Sequence, residues 1–277
     1  MNRLWVRQIT GVIRLEWKKT FLARRGWWVY LLALGPVALT LLHTLVMERL
    51  QVAGRRGHPL AADIQGFAGT FELYYLHLGI FFGCLGIFSN LFRGEMLEKT
   101  LHYYFLTPVR RELLVVGKYL SGLIVALVLF VSSAGLSFWL LGRHQGAAWS
   151  EFLQHGGGLS QMGWYMVVAA LACVGYGAVF LIAGLFIRNP MIPAAVVMVW
   201  ENLNPFLPSL LKKFSVIFYL KSLCPVQIQI PPPLNVLVSD TEPVAAWIAV
   251  PGLLVVAALV LAYAAISARR AEISYGE

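Results

Sequence analysis

A chain of 277 residues, 59% hydrophobic and only 13% charged, with a mean hydropathy of +0.72, carries more apolar surface than one soluble core of that size can enclose. A water-soluble globular domain is thereby excluded, and a polytopic membrane protein remains. The net charge of +9 is accounted for by basic residues at an anionic inner leaflet, so no nucleic-acid partner is required.

Residues 1–26 precede the first apolar run. At 100° per residue, Arg3, Arg7, Arg14, Lys18 and Arg25 fall on one side of a helix and Trp5, Val6, Ile9, Val12 and Ile13 on the other. An amphipathic helix lying on the inner leaflet fits this pattern, as does a basic flank that only sets topology. Glu16 and Lys19 interrupt the apolar face, so the helix bends there or these two groups meet protein instead of lipid.

Six spans are predicted, over 27–47, 71–92, 119–141, 162–187, 191–211 and 244–266, each long enough at about 1.5 Å per residue to cross roughly 30 Å of hydrocarbon. The first run is about twice the length of a signal-peptide core and lacks a small-residue cleavage site after it, so it is expected to remain as a span. With both termini inside, fifteen of the 22 Lys and Arg residues fall on the cytoplasmic side, which predicts cytoplasmic termini. His43 and His77 each stand in apolar sequence without ligand spacing and read as histidines satisfied by a neighbouring helix; no metal site is expected. Glu72 reads as an outer-end residue, where solvation is cheap. Gly79 and Gly83 form a small-xxx-small pair that permits close helix contact. Cys84, Cys173 and Cys224, none in CxxC spacing, support neither a disulfide framework nor a zinc site.

Between spans two and three, residues 93–118 form a charged, amphipathic connection longer than a simple turn requires. Leu97, Leu101, Tyr104 and Phe105 recur at helical spacing, whereas Glu95, Glu98 and His102 occupy another face, and Glu95 can pair with Lys99. Thr107 before Pro108 marks a break and a new helix start.

This segment resembles the coupling region of the permease subunit of type-2 ATP-binding-cassette exporters. The matching residues are Glu95 and Glu98, Thr100-Leu101, Phe105-Leu106, Pro108-Val109-Arg110-Arg111 and Gly117-Lys118; Lys99 stands where a glycine often precedes the Thr-Leu pair. The resemblance implies an all-α permease of six spans with a cytoplasmic coupling helix, a second permease copy or homologue, and a separate ATPase subunit. Arg93, Glu95, Glu98, Lys99, Thr100, Leu101, Thr107, Pro108, Arg110 and Arg111 are the coupling residues it implies, in a bacterial-type plasma membrane. No GxxxxGK[ST] occurs, so no phosphate-cradling loop is present and the chain is expected not to be an enzyme; ATP and Mg are expected on the partner, with no cofactor bound here. A scaffold or assembly subunit of a larger membrane complex is the alternative.

The fifth predicted span contains Glu201, with Asn202, Asn204, Pro205 and Pro208 beside it. Two readings stand. Glu201, Asn202 and Asn204 face the transport pathway or a dimer seam, or the span ends near Trp200 and Glu201 sits in the outer headgroup layer with Lys212 or Lys213 as neighbour. Residues 212–243 read as an extracytoplasmic loop that begins with a short helix on the outer leaflet and contains Pro231-Pro232-Pro233.

Overall fold

Long apolar segments in hydrocarbon must satisfy their backbone internally, and every regular element here is a helix among the described residues. The computed structural model describes residues 5, 7–14, 16, 26–52, 59–97, 111–187, 189–228 and 244–270. In chain order the elements are α1 (Trp27–Val52), α2 (Leu60–Thr70), a π-helical segment (Phe71–Gly79), α3 (Ile80–Leu97), α4 (Arg111–Leu141), a 3₁₀ turn (Arg143–Gln145) and α5 (Ala147–Gln154). There follow α6 (Gly158–Phe186), α7 (Met191–Leu203), a 3₁₀ turn (Asn204–Phe206), α8 (Ser209–Lys212), α9 (Val216–Leu223) and α10 (Ala246–Arg270). Residues 5, 7–14 and 16 are also helical.

Five of these stretches are long and apolar enough to cross a membrane: Trp27–Leu50, Leu60–Phe92, Arg111–Gln145, Gly158–Phe186 and Ala246–Ala268. The predicted segment 191–211 is not among them, because its helix stops at Leu203 ahead of Pro205 and Pro208. The second stretch begins eleven residues before the predicted 71, since Leu60–Thr70 continues into the π-helical segment without a break.

α6 is the central element, packed against α3, α4, α9 and α10. α1 and α10 lie outside and expose Leu31, Leu34, Leu42, Val255, Leu259 and Ile266, a large apolar surface that suits lipid and not water. The contact of α6 with α3 is backbone-close: a Cβ placed on Gly184 would lie 2.7 Å from Ser89 Cα and 2.8 Å from its carbonyl oxygen. Since backbone atoms cannot swing aside, Gly184→Ala is expected to lower the thermal unfolding temperature, whereas Gly163→Ala, where an added Cβ meets nothing within 4 Å, should leave it unchanged. Of the Gly79 and Gly83 pair, Gly83 receives the Phe130 ring of α4, while Gly79 faces Tyr74 of its own segment.

Pro36 inside α1 has no N–H to offer the carbonyl of Leu32, and the Tyr74 hydroxyl donates to that carbonyl at 3.2 Å. Tyr75 bonds Ser133 and Ser137 of α4 at 2.8 and 2.9 Å, and Ser133 donates in turn to the Ala33 carbonyl. Two tyrosines of the π-helical segment thus stitch α1, α4 and the second stretch together. The wider π-helical turn also accommodates an aromatic cluster, with Phe71 against Tyr75 and Tyr165 and Phe67 against Phe138 and Tyr165.

Candidate functional site

Two arrangements set this bundle apart from a set of plain spans. The first lies where α3 ends and α4 begins, flanking the connection. Lys118 is fully buried; its Nζ donates to Glu16 Oε1 at 2.7 Å and to the Leu91 carbonyl at 2.8 Å, and it stands 5.3 Å from the centre of the Phe92 ring. The preceding Gly117 makes room for the N-terminal helix, because a Cβ there would lie 3.0 Å from Val12 Cβ. Val12 and Glu16 are buried while Arg7 and Arg14 are exposed, so the helix lays one face on the bundle. Glu16, which interrupts the apolar face in the sequence, meets a lysine of α4. Lys19 lies outside the described residues.

Of the coupling residues expected from the sequence, Arg111 opens α4. Arg93 and Glu95 belong to the last turns of α3, whose backbone is helical to Leu97. Glu98, Lys99, Thr100, Leu101, Thr107, Pro108 and Arg110 lie outside the described residues.

The second arrangement is the broken segment after α6. α7 climbs for thirteen residues, about 20 Å, and then the chain doubles back through Asn204–Phe206 and Ser209–Lys212 before α9 resumes. Glu201 is 4% exposed, and its carboxylate accepts Ser215 Oγ–H at 2.5 Å, Val216 N–H at 3.1 Å and Ile217 N–H at 2.9 Å. These are the unpaired donors at the start of α9, and a carboxylate there is favoured both by hydrogen bonding and by the helix dipole. Val216 packs on Gly175, about halfway along α6, so this cap sits at mid-depth in the bundle.

Asn204 is buried and donates to the Lys212 carbonyl at 3.2 Å, closing the excursion. Asn202 is exposed and donates back along its own helix, to the Met198 carbonyl at 2.7 Å. The three polar residues therefore separate, two holding the excursion together and one facing outward. α9 packs on α6 and α10 inside the bundle instead of lying on an outer surface, because its apolar residues Ile217, Leu220 and Leu223 are all buried there. Its Lys221 forms an ion pair with Glu72 of the π-helical segment, which gives Glu72 a protein partner in place of solvent. His77 is satisfied by a carbonyl of its own segment, that of Glu72 at 2.8 Å, and not by a neighbouring helix. His43, isolated in the sequence, is edge-on to His144 with ring centres 5.6 Å apart, and both rings face Asp63. Cys84 and Cys173 are buried free thiols and Cys224 is half-buried.

These features belong to a helical, membrane-embedded bundle with a carboxylate-capped break at mid-depth and an N-terminal helix fastened to one end. The particular family follows from sequence comparison: the family described as ABC-2 family transporter protein matches residues 12–204, and the chain belongs to it. Membership makes the chain a membrane component of a transporter and implies association with an ATPase subunit. No curated protein matches the chain.

Proposed function

We propose that the chain is the permease half of an ATP-driven exporter in a bacterial-type plasma membrane. Two copies, or one copy and a homologue, enclose the pathway, and residues 1–277 act as one permease domain with both termini cytoplasmic. Separate ATPase subunits, carrying ATP and Mg, dock beneath residues 93–118. The observation that carries this reading is the buried Glu16–Lys118 pair: it fastens the N-terminal helix to the first turns of α4, so that a push on the coupling region moves the helix, α3 and α4 together. The Lys and Arg distribution supports the cytoplasmic side for this end. The broken α7–α9 segment supplies the sixth crossing in two halves, and the exposed stripe Ile192, Val196, Val199 and Leu203 on α7 offers a face to lipid or a second copy.

The test is capture of the ATPase subunit by the tagged chain. Glu95→Lys with Glu98→Lys should reduce capture at least about tenfold while membrane insertion stays intact, since charges at a docking surface govern encounter and register more than folding. Unchanged capture removes those residues from the docking surface. A wild-type chain that captures no ATPase at all favours a scaffold subunit instead.

A further inference from the structure

The end of the bundle opposite Lys118 holds a cluster that transport as described does not use. His43 near the far end of α1, Asp63 in the first turn of α2 and His144 in the turn after α4 converge, with one potential ligand atom from each lying within 4.8 Å of the others. His43 Nε2 is 3.5 Å from Asp63 Oδ1, and His144 Nε2 is 3.1 Å from Asp63 Oδ2. Gln145 Nε2 donates to the same Oδ2 at 2.8 Å. We propose that His43, Asp63 and His144 form a binding site for one divalent transition-metal ion of the zinc class.

Three observations carry it. Two imidazoles and one carboxylate are the donor set that zinc takes in three-ligand sites with an open fourth position, and imidazole favours this class over calcium or magnesium. The two N···O separations, one to each oxygen of Asp63, lie near the edge of a tetrahedron with metal–ligand bonds of about 2.0–2.1 Å, roughly 3.3 Å, and the three ligand atoms, within 4.8 Å of one another, must close in somewhat for all to reach one ion. Finally, the ligand atoms are shielded from solvent: the side chains of Asp63 and His144 are 2% and 0% exposed and His43 Nε2 is buried, although the His43 side chain as a whole is 33% exposed, so an ion enters by a turn of that ring. The ligands come from three separate elements, so a bound ion braces α1, α2 and the α4–α5 connection against one another.

The competing account is a hydrogen-bonded His–Asp–His cluster that never takes up metal. The full chain, purified in detergent, is stripped with chelator and titrated with Zn²⁺ and, separately, with Co²⁺, whose visible absorption reports coordination by nitrogen and oxygen in a four- or five-coordinate site. Wild type is expected to retain about one zinc per chain after desalting and to raise its thermal unfolding temperature with zinc. His43→Ala, the least buried of the three changes, should weaken zinc binding at least about tenfold, and Asp63→Asn, which keeps the side chain's shape, should abolish the cobalt absorption. The exposed His155→Ala should bind as wild type does. The proposal is overturned if wild type retains no zinc and shows no cobalt bands, or if His43→Ala and Asp63→Asn, confirmed as folded and monodisperse, bind both ions as wild type does.

Discussion

Lys118→Met is expected to lower the stability of the purified chain by about 3–5 kcal/mol, because it breaks a buried ion pair by removing one partner and takes the Lys118 charge away from the buried Glu16 carboxylate. Glu16→Gln should also destabilise, because the buried ammonium group loses the Glu16 charge and is left with neutral acceptors such as the Leu91 carbonyl. The informative variant is the double one. With both charges gone, Glu16→Gln/Lys118→Met should lie closer to wild type than the sum of the two single effects, the signature of direct coupling in a double-mutant cycle. Chemical or thermal unfolding in detergent measures this, and strict additivity would show that the two groups do not depend on each other. Transport-coupled ATP hydrolysis should fall in all three variants, the double included, since the N-terminal helix is then no longer fastened to α4. A double variant that is stable yet uncoupled separates the mechanical role from the folding role.

Glu201→Leu has the second large effect. It removes the carboxylate that accepts from the Ser215 hydroxyl and the Val216 and Ile217 N–H groups at mid-depth, where an unsatisfied donor costs about 1–3 kcal/mol. Glu201→Gln keeps one acceptor oxygen and should be milder. Cys224, half-buried just beyond α9, reports the outcome directly, because Cys84 and Cys173 are buried within the bundle. Its rate of modification by a membrane-impermeant thiol reagent is expected to rise at least about tenfold in Glu201→Leu and less in Glu201→Gln, as α9 loosens. Equal rates in wild type and Glu201→Leu would mean that the cap does not hold α9 in place.

Much of this was legible in the sequence, and what was not has identifiable causes. The four unbroken spans from 27, 119, 162 and 244 were readable within a few residues of one end, since apolar length is a local property. The earlier starts of the second and third were not, because Leu60–Thr70 and the first turns of α4 mix polar residues into helices that packing completes. Proline and asparagine near 201–208 announced a break in the fifth segment, but not that the chain returns to mid-depth: that is decided by a hydrogen bond between residues 14 apart, Glu201 and Ser215. Glu16 did carry a signal, as a lone carboxylate on an apolar helix face, and so did Lys118 as a lysine opening a span. Nothing local joined them across 102 positions. His43, Asp63 and His144 are likewise brought together only by the register of α1, α2 and α4, and no motif spacing exists to find them.

The divided α7–α9 segment bears on how the protein is made. Neither α7, at thirteen residues, nor α9, at eight, can cross roughly 30 Å of hydrocarbon alone, so neither folded half spans the membrane by itself. α9 beds on α6, already synthesised, and on α10, which emerges only afterwards. The seat of α9 is therefore complete only once the last helix has arrived, and this region is expected to finish packing later than its place in the chain.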